Sequence, residues 1–458
     1  MITSFDITAA LPRGTTVLEA SAGTGKTWTI AALTTRLLAQ GHAQVGQLLI
    51  ITFTRAAAAE LRSRIHARLT QVSRDLQHTI DDAVEPEQSD ELTAFLASHP
   101  VEEVGRMIAR LRQASRDIDS ATITTIHGFC SQALAELGIP TSDDIASETA
   151  VDLRAEVAAD LYLTTYASQP QPPVLAYNQA AEIARTVTEN PTATIHPDDP
   201  GDETTQARVD FARTVRTEFH RRKRANGIFT YNDVLTELAG VVDPEHPDQH
   251  TQTARQRLRN RWRYVLVDEF QDTDDIQWRI LSHVFHTHRD VVLIGDPKQA
   301  IYSFRGGDIY TYLDAITHAD SAHTLGFNYR SDQALVRGIN EVFDGVALGH
   351  QDITARPVKS GKPHDTVRLS TPGPRMRVRV VDRDDFTPSE SGNVRVGPLR
   401  QAIARDVATD VAFLLTEDNR VWDGPTGQWR GVNAGDVAVL CHTNREVELV
   451  RHALDEAG

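Results

Sequence analysis

Cysteine is nearly absent. Two in 458 residues exclude a disulfide framework, a cysteine-rich zinc site and an iron–sulfur cluster held by four cysteines. Long apolar runs are also missing, and no stretch approaches the roughly 20 residues of a membrane helix. The first residues, Met1-Ile2-Thr3-Ser4-Phe5-Asp6, lack the basic start and apolar core of a signal peptide. A soluble cytoplasmic protein with no membrane partner is the expectation. Basic charge is in deficit, with 47 Lys and Arg against 63 Asp and Glu and a net charge of −16. That balance counts against general polyanion binding, which only local basic clusters can reverse. Hydrophobic residues, at 40%, suffice for packed cores and exclude general disorder. At about 150 residues per domain the length suggests roughly three domains.

Five short apolar runs, at 16–19, 48–51, 121–124, 264–267 and 291–294, end in polar or glycine-rich loops. Near-continuous Val, Ile and Leu is the pattern of strands buried on both faces, as in a parallel sheet. Helical spacing lies between them: Ile30, Leu33 and Leu37 before a stop at Gly41, then Leu61, Ile65 and Leu69. Alternating strand and helix predicts a doubly wound α/β domain. Residues 71–114 and 138–239 are mostly helical, with Leu153, Val157 and Leu161 on one stripe, and read as an insertion into it. The first α/β domain then comprises 1–70, 115–137 and 240–326. A second α/β unit is expected over 327–458. It has a strand at Met376, Val378 and Val380, a helix through Ile403, Val407, Val411 and Leu414, and a buried strand at 437–440. The chain stops at Gly458, so this unit is expected to be incomplete.

Ala20-Ser21-Ala22-Gly23-Thr24-Gly25-Lys26-Thr27 follows a strand and opens a helix. The spacing is that of a phosphate-binding loop, with Ala in place of its first Gly. Small residues let backbone N–H groups wrap phosphates at a helix N-terminus. Lys26 would reach the β- and γ-phosphates of ATP, and the Thr27 hydroxyl would join the shell of Mg2+. The alternative is a Gly/Ala turn that happens to contain Lys-Thr. Tyr264-Val265-Leu266-Val267-Asp268-Glu269 supplies the second carboxylate-bearing strand of an ATPase. Asp268 is placed to hold Mg2+ and Glu269 to act as general base on water. Two solvated acids at a strand end are the alternative. Gln299, after the strand ending at Gly295, is either a γ-phosphate sensor or a polar loop residue.

Together these motifs resemble superfamily 1 helicases of the UvrD/Rep type. Glu19–Thr27, Thr125-Ile126-His127-Gly128-Phe129-Cys130, Asp268–Asp274, Ile294–Gly306 and Pro357-Val358-Lys359-Ser360 resemble the RecB branch, the beta subunits of exodeoxyribonuclease V, with the AddA type as nearest rival. The resemblance implies a RecA-like P-loop NTPase sheet with a helical, DNA-contacting insertion and the start of a second RecA-like domain. It implies ATP-driven helicase movement on single-stranded DNA, of 3′→5′ polarity, in double-strand break repair and recombination. Its partners would be single-stranded and duplex-end DNA and the gamma and alpha subunits. Phe53 and Thr54 fall where the family contacts single strands, and base stacking on an aromatic ring contributes about 1–3 kcal/mol without reading sequence. His127 falls at a backbone contact. Tyr302, Phe304 and Arg305 match a stacking step with a phosphate contact. Tyr329 would stack on adenine and Arg330 would reach the γ-phosphate. Core packing is the alternative for Phe53, Tyr302 and Phe304, and a buried structural histidine for His127. Two basic clusters, Arg221-Arg222-Lys223-Arg224 and the alternating arginines 255–263, read better as solvated helix faces than as phosphate contacts.

Three departures qualify the resemblance. Residues 5–14 carry no adenine-reading Gln, later helicase motifs are missing, and so is a C-terminal nuclease domain. A different class of protein therefore competes, one that binds ATP and DNA without productive turnover. An unrelated P-loop kinase or GTPase is a third reading, and it predicts no affinity for single strands.

Overall fold

The computed structural model describes residues 2–82, 90–139, 147–191, 193–228, 230–245, 249–301, 307–362, 366–387 and 392–458. Two compact units divide the chain, 1–325 and 326–458.

The first unit is built on a seven-stranded sheet. Its strands are β1 (Thr3–Ser4), β2 (Thr15–Glu19), β3 (Leu48–Thr52), β4 (Thr122–Thr125), β5 (Tyr264–Val267), β6 (Asp290–Gly295) and β7 (Ser321–Thr324). They are all parallel, in the order β1-β7-β2-β6-β5-β3-β4. The five apolar runs are all strands. Sequence pattern missed β1 and β7, because Thr-Ser and Ser-Ala-His-Thr at the sheet edge carry no apolar run.

Helices cover both faces, which is why central strands can be apolar throughout. On one face lie α1 (Lys26–Ala39), α2 (Arg55–Asp82), α3 (Glu91–Ala97) and α4 (Val101–Arg116). Ile30, Leu33 and Leu37 of α1 are buried, and the helix ends before Gly41 at φ +75°. The stripe Leu61, Ile65, Leu69, Val72 and Leu76 runs unbroken along α2 into this same core. So α2 to α4 pack on the sheet, although their polar faces read in sequence as part of a separate insertion. The other face carries α5 (Ile126–Glu136) and, after three intervening helices, α9 (Tyr231–Val241), α10 (Gln249–Arg261), α11 (Asp275–Phe285) and α12 (Ile309–His318). Trp262 is fully buried there, donating from Nε1 to Thr122 Oγ1 at 3.0 Å and meeting Phe129 edge-on at 5.2 Å.

The three intervening helices are α6 (Ser147–Tyr166), α7 (Tyr177–Glu189) and α8 (Glu203–Ala225). They have their own core, with Leu153, Val157, Val215 and Phe219 buried. The 221–224 basic cluster is a solvated face only at Arg221 and Arg224, which are exposed. Arg221 and Arg222 pair with Glu218, Arg222 also with Glu156 and Asp160, and buried Lys223 with Asp233 at 2.5 Å. In the other cluster Arg259 donates to the carbonyls of Val284 and His283, and Arg261 to that of Gly46. Both clusters hold elements together.

In the second unit β8 (Phe327–Asn328) pairs in parallel with β9 (Lys359–Ser360), beside α13 (Gln333–Phe343). An antiparallel sheet joins β10 (Leu369–Ser370), β11 (Arg420–Asp423) and β12 (Gln428–Gly431), with Trp422 opposite Trp429. Helices α14 (Val396–Leu414) and α15 (Asn444–Ala457) pack through Ala404, Ala408 and Ala453. Two expectations fail here. Residues 376–380 and 437–440 form no strand, and Val380 and Leu440 are 87% and 96% exposed. An apolar run becomes a buried strand only with hydrogen-bonding neighbours and cover, and the described residues supply neither. Among the described residues no helix is long and apolar enough to cross a membrane.

Candidate nucleotide and nucleic-acid site

The carboxyl ends of β2, β6, β5, β3 and β4 bring the sequence-predicted residues of the first unit to one edge. After β2, Ala20 N–H continues the ladder by donating to Gly295 O at 2.9 Å. Ala20 is fully buried, so its N–H is spent and it shapes the loop instead of presenting a phosphate donor as expected. The loop closes on itself, with Thr24 donating from both N and Oγ1 to Ser21 O. Gly23 and Gly25 take φ +79° and +91°, a backbone that a side chain would strain. Gly25 is the N-cap of α1, which begins at Lys26 and Thr27. The loop joins a strand to a helix, and the N-terminus of α1 opens on it.

At the end of β5, Asp268 N–H still donates to Ile51 O, and then the chain turns sharply. Glu269 sits at φ +52°, a left-handed conformation rare for a residue with a side chain and common at functional sites. The turn aims its carboxylate at α1. Lys26 Nζ donates to Glu269 Oε2 at 2.6 Å. Asp268 is mostly buried. Burial, and then the neighbouring Glu269, push its carboxyl up to about 6, against the opposing pull of Lys26. Asp272, also buried and close to Glu269, is pushed up to about 6 for the same reasons.

A cleft of about 590 Å³ holds these groups, lined by Thr27, Thr52, Phe53, Thr54, Asp268, Glu269, Gln271, Asp272, Lys298, Gln299 and Ile301. The donor set is oxygen only, a hydroxyl and carboxylates, which suits Mg2+, an ion that keeps waters and phosphate oxygens as its other ligands. Among the described residues no group of three or more His, Cys, Asp or Glu is placed to hold a metal ion by itself.

A second groove of about 580 Å³ adjoins it, lined by Phe53, Arg55, Arg62, Thr124, Thr125, His127 and others. Phe53, just beyond β3, walls both spaces. His127 stands in the first turn of α5, capped by Thr125, whose hydroxyl accepts from Gly128 N–H at 3.2 Å. Burial lowers its pKa below the usual histidine value, so it is neutral at pH 7. Tyr302, Phe304 and Arg305 lie outside the described residues.

In the second unit Asn328 Oδ1 accepts from the N–H groups of Arg330 and Ser331, both at 2.9 Å. The ring of Tyr329, 55% exposed, lies against Gly361, where a side chain would not fit. The Arg330 carbonyl accepts from Lys362 and Arg368.

Sequence reading missed the residues behind the cleft. Lys298 Nζ lies 2.9 Å from Glu19 Oε1 and 2.7 Å from Asp296 Oδ1. Burial pulls the amine's pKa down, but Asp296 and Glu19 more than offset this and hold it above the usual lysine value. The available signal was a lone Glu at the end of an apolar strand and a lone Lys after another. Only the strand order, with β2 beside β6, makes them partners. Gln271 and Asp272 follow the acid pair in a single 3₁₀ turn, Phe270–Asp272.

Residues 4–320 match the family model described as UvrD/REP helicase N-terminal domain. The chain is 41% identical over 464 residues to "RecBCD enzyme subunit RecB" of Mycobacterium tuberculosis, covering 99% of this chain and 40% of that protein. It is 26% identical to the Escherichia coli protein of the same name, covering 96% of this chain and 47% of the relative. "ATP-dependent DNA helicase UvrD2" of Mycobacterium bovis is 26% identical, with 98% and 52% covered. The chain thus spans about half the length of the relatives it matches, or less. With its parallel sheet, the glycine-containing loop after β2 and the acid pair at the end of β5, two strands away, the chain belongs to the UvrD/REP helicase family and is RecB-like within it.

Proposed function

We propose that this chain is the ATP-driven single-stranded-DNA motor portion of a RecB-type helicase acting in double-strand break repair. One observation carries the reading. Lys26 is paired with Glu269, which together with Asp268 and Thr27 lines a cleft whose wall, Phe53, is also a wall of a second groove. ATP is the substrate of the first space and a DNA strand the occupant of the second.

The chemistry follows from the side chains. Lys26, now on Glu269, turns to the phosphates when triphosphate enters, because a polyphosphate outcompetes one carboxylate for the amine. Glu269 is then free to orient the attacking water and take its proton. Gln299, in the same cleft, is proposed as the group that registers the γ-phosphate. Thr27 and Asp268 would hold Mg2+, which neutralises charge on the β- and γ-phosphates. Phe53 would stack on bases, with Thr54 and His127 on the backbone and α6 to α8 as further DNA contacts. Tyr329 and Arg330 are proposed for adenine and the γ-phosphate. The relatives' name, a RecBCD enzyme subunit, supports assembly with other subunits; gamma- and alpha-like partners, a cytoplasmic setting and 3′→5′ movement are further parts of the proposal.

An ATPase assay with and without single-stranded DNA tests the reading. DNA should stimulate turnover, Glu269→Gln should reduce it by on the order of 10²–10⁴, and Lys26→Ala should remove nucleotide binding. A chain that binds neither nucleotide nor single strands refutes the proposal. The exposed apolar segments around Val380 and Leu440 favour the second reading, binding without turnover. It predicts Lys26-dependent nucleotide binding with negligible hydrolysis.

A further inference from the structure

Behind the cleft lies a buried amide for which the reaction so far has no use. Gln271 is 2% exposed. Its Oε1 accepts from Asp296 N–H at 2.9 Å, and its Nε2 donates to Glu269 Oε2 at 2.8 Å and, more weakly, to Asp272 Oδ2 at 3.4 Å. The sense of the amide is not ambiguous, because a main-chain N–H can only donate. Room for it comes from Gly295, where a Cβ would lie 2.7 Å from Gln271 Oε1. One side chain therefore joins the carboxylate at the end of β5 to the main chain at the end of β6.

What lies at each end makes the link consequential. Glu269 Oε2 receives Lys26 as well as Gln271. If Lys26 leaves for phosphate, Gln271 keeps hold of that oxygen, and the position of Glu269 is then defined relative to Asp296. Asp296 in turn accepts from Gln299 Nε2 at 2.7 Å, so the turn that Gln271 grips is the one that sets Gln299. The same turn is tied back to the phosphate-loop strand by Lys298 on Glu19. Gln299 and Ile301 share the cleft wall with Phe53, which continues into the second groove.

We propose that Gln271 is a positioning residue that couples the nucleotide cleft to the DNA groove, by fixing Glu269 to the turn that carries Gln299. The inference rests on the functional reading above and deepens it. Coupling is reciprocal: if DNA changes nucleotide affinity by a factor, nucleotide changes DNA affinity by the same factor. That factor is measurable without turnover.

The test uses the full 458-residue chain, a non-hydrolysable ATP analogue with Mg2+, and a fluorescent oligo-dT. Each affinity is measured alone and with the other ligand saturating. Gln271→Met keeps length and removes both polar ends, and Gln271→Asn keeps the amide but cannot span both partners. Both variants should bind each ligand alone within about twofold of wild type while the coupling factor falls toward one, by about fivefold or more where the wild-type factor lies in the usual 5–150-fold range. A merely structural role would weaken both separate affinities. Coupling within twofold of wild type in folded Gln271→Met or Gln271→Asn overturns the inference. So does a wild-type chain that binds both ligands with a factor of one. A wild-type chain that binds neither overturns the functional reading instead.

Discussion

Replacing Lys298 by methionine removes the amine shared by Glu19 and Asp296 while keeping most of its length and apolar bulk. The three side chains are only 14%, 9% and 3% exposed. Two carboxylates would be left buried without their cation, the situation in which breaking a buried pair costs about 3–5 kcal/mol. The first unit has 325 residues, so its unfolding entropy near the midpoint is about 0.7 kcal/mol per kelvin. The expected fall in the first unit's midpoint is about 4–7 °C. Thermal unfolding followed by circular dichroism at pH 7.5 measures it, with Lys298→Arg as the charge-keeping control. The pH dependence has a definite sign. The folded amine is held above the usual lysine value, so its contribution is fully present below that range and is lost only as pH rises through the raised value. The wild-type contribution is therefore flat between pH 6 and 9. A midpoint change below about 1 °C, or an equal loss in Lys298→Arg, refutes the view that this ion pair fastens β6 to β2.

Three further outcomes follow from the same geometry. Burial and Glu269 hold the Asp268 carboxyl at about 6, above its unfolded value, so its ionisation costs stability once pH rises through that range. Asp268→Asn in EDTA should therefore raise the midpoint by about 4 °C at pH 7.5 and by about a third of that at pH 4.5, while Mg2+-dependent nucleotide binding is lost. An equal shift at both pH values would contradict the assignment. Trp262→Ala empties a fully buried site and orphans the Thr122 hydroxyl, at about 3–5 kcal/mol by denaturant titration. Leu440→Lys should change stability by under about 0.5 kcal/mol, since that side chain is 96% exposed; a loss above 2 kcal/mol would mean it is covered in solution.

Much of the architecture can be read from apolar periodicity, because burial on both faces demands it. The strands at 16–19, 48–51 and 264–267, and the stripes of α1 and α2, are statements about where water is excluded. The phosphate loop is readable for a related reason. Glycines at 23 and 25 answer a steric demand, φ of +79° and +91°, that few other residues meet. Periodicity misleads where its premise fails. Val378, Val380, Val439 and Leu440 have strand-like spacing, but spacing specifies a face and not a partner. A boundary at residue 70 was invisible as an error for the opposite reason. Polar residues thicken along α2 on its solvent side, while Leu69, Val72 and Leu76 stay in the core.

The chemistry at the sheet edge follows a different rule. Glu19, Gln271, Asp296 and Lys298 are polar residues in largely buried positions, and besides local partners they depend on two links between distant strands, Lys298 to Glu19 and the Asp296 N–H to Gln271. No local pattern can announce such a residue, since the compensating group is defined by strand order. Glu19 and Lys298 are separated by 279 positions, yet β2 and β6 are neighbours. This is also why the network is suited to conduct a signal. Every member carries a desolvation penalty that only its partner offsets, so moving one displaces the next more readily than it leaves it unpaired. When Lys26 leaves Glu269 the imbalance can pass to Gln271 and then to Asp296. An apolar contact at the same place would absorb the change by a small repacking and pass on little.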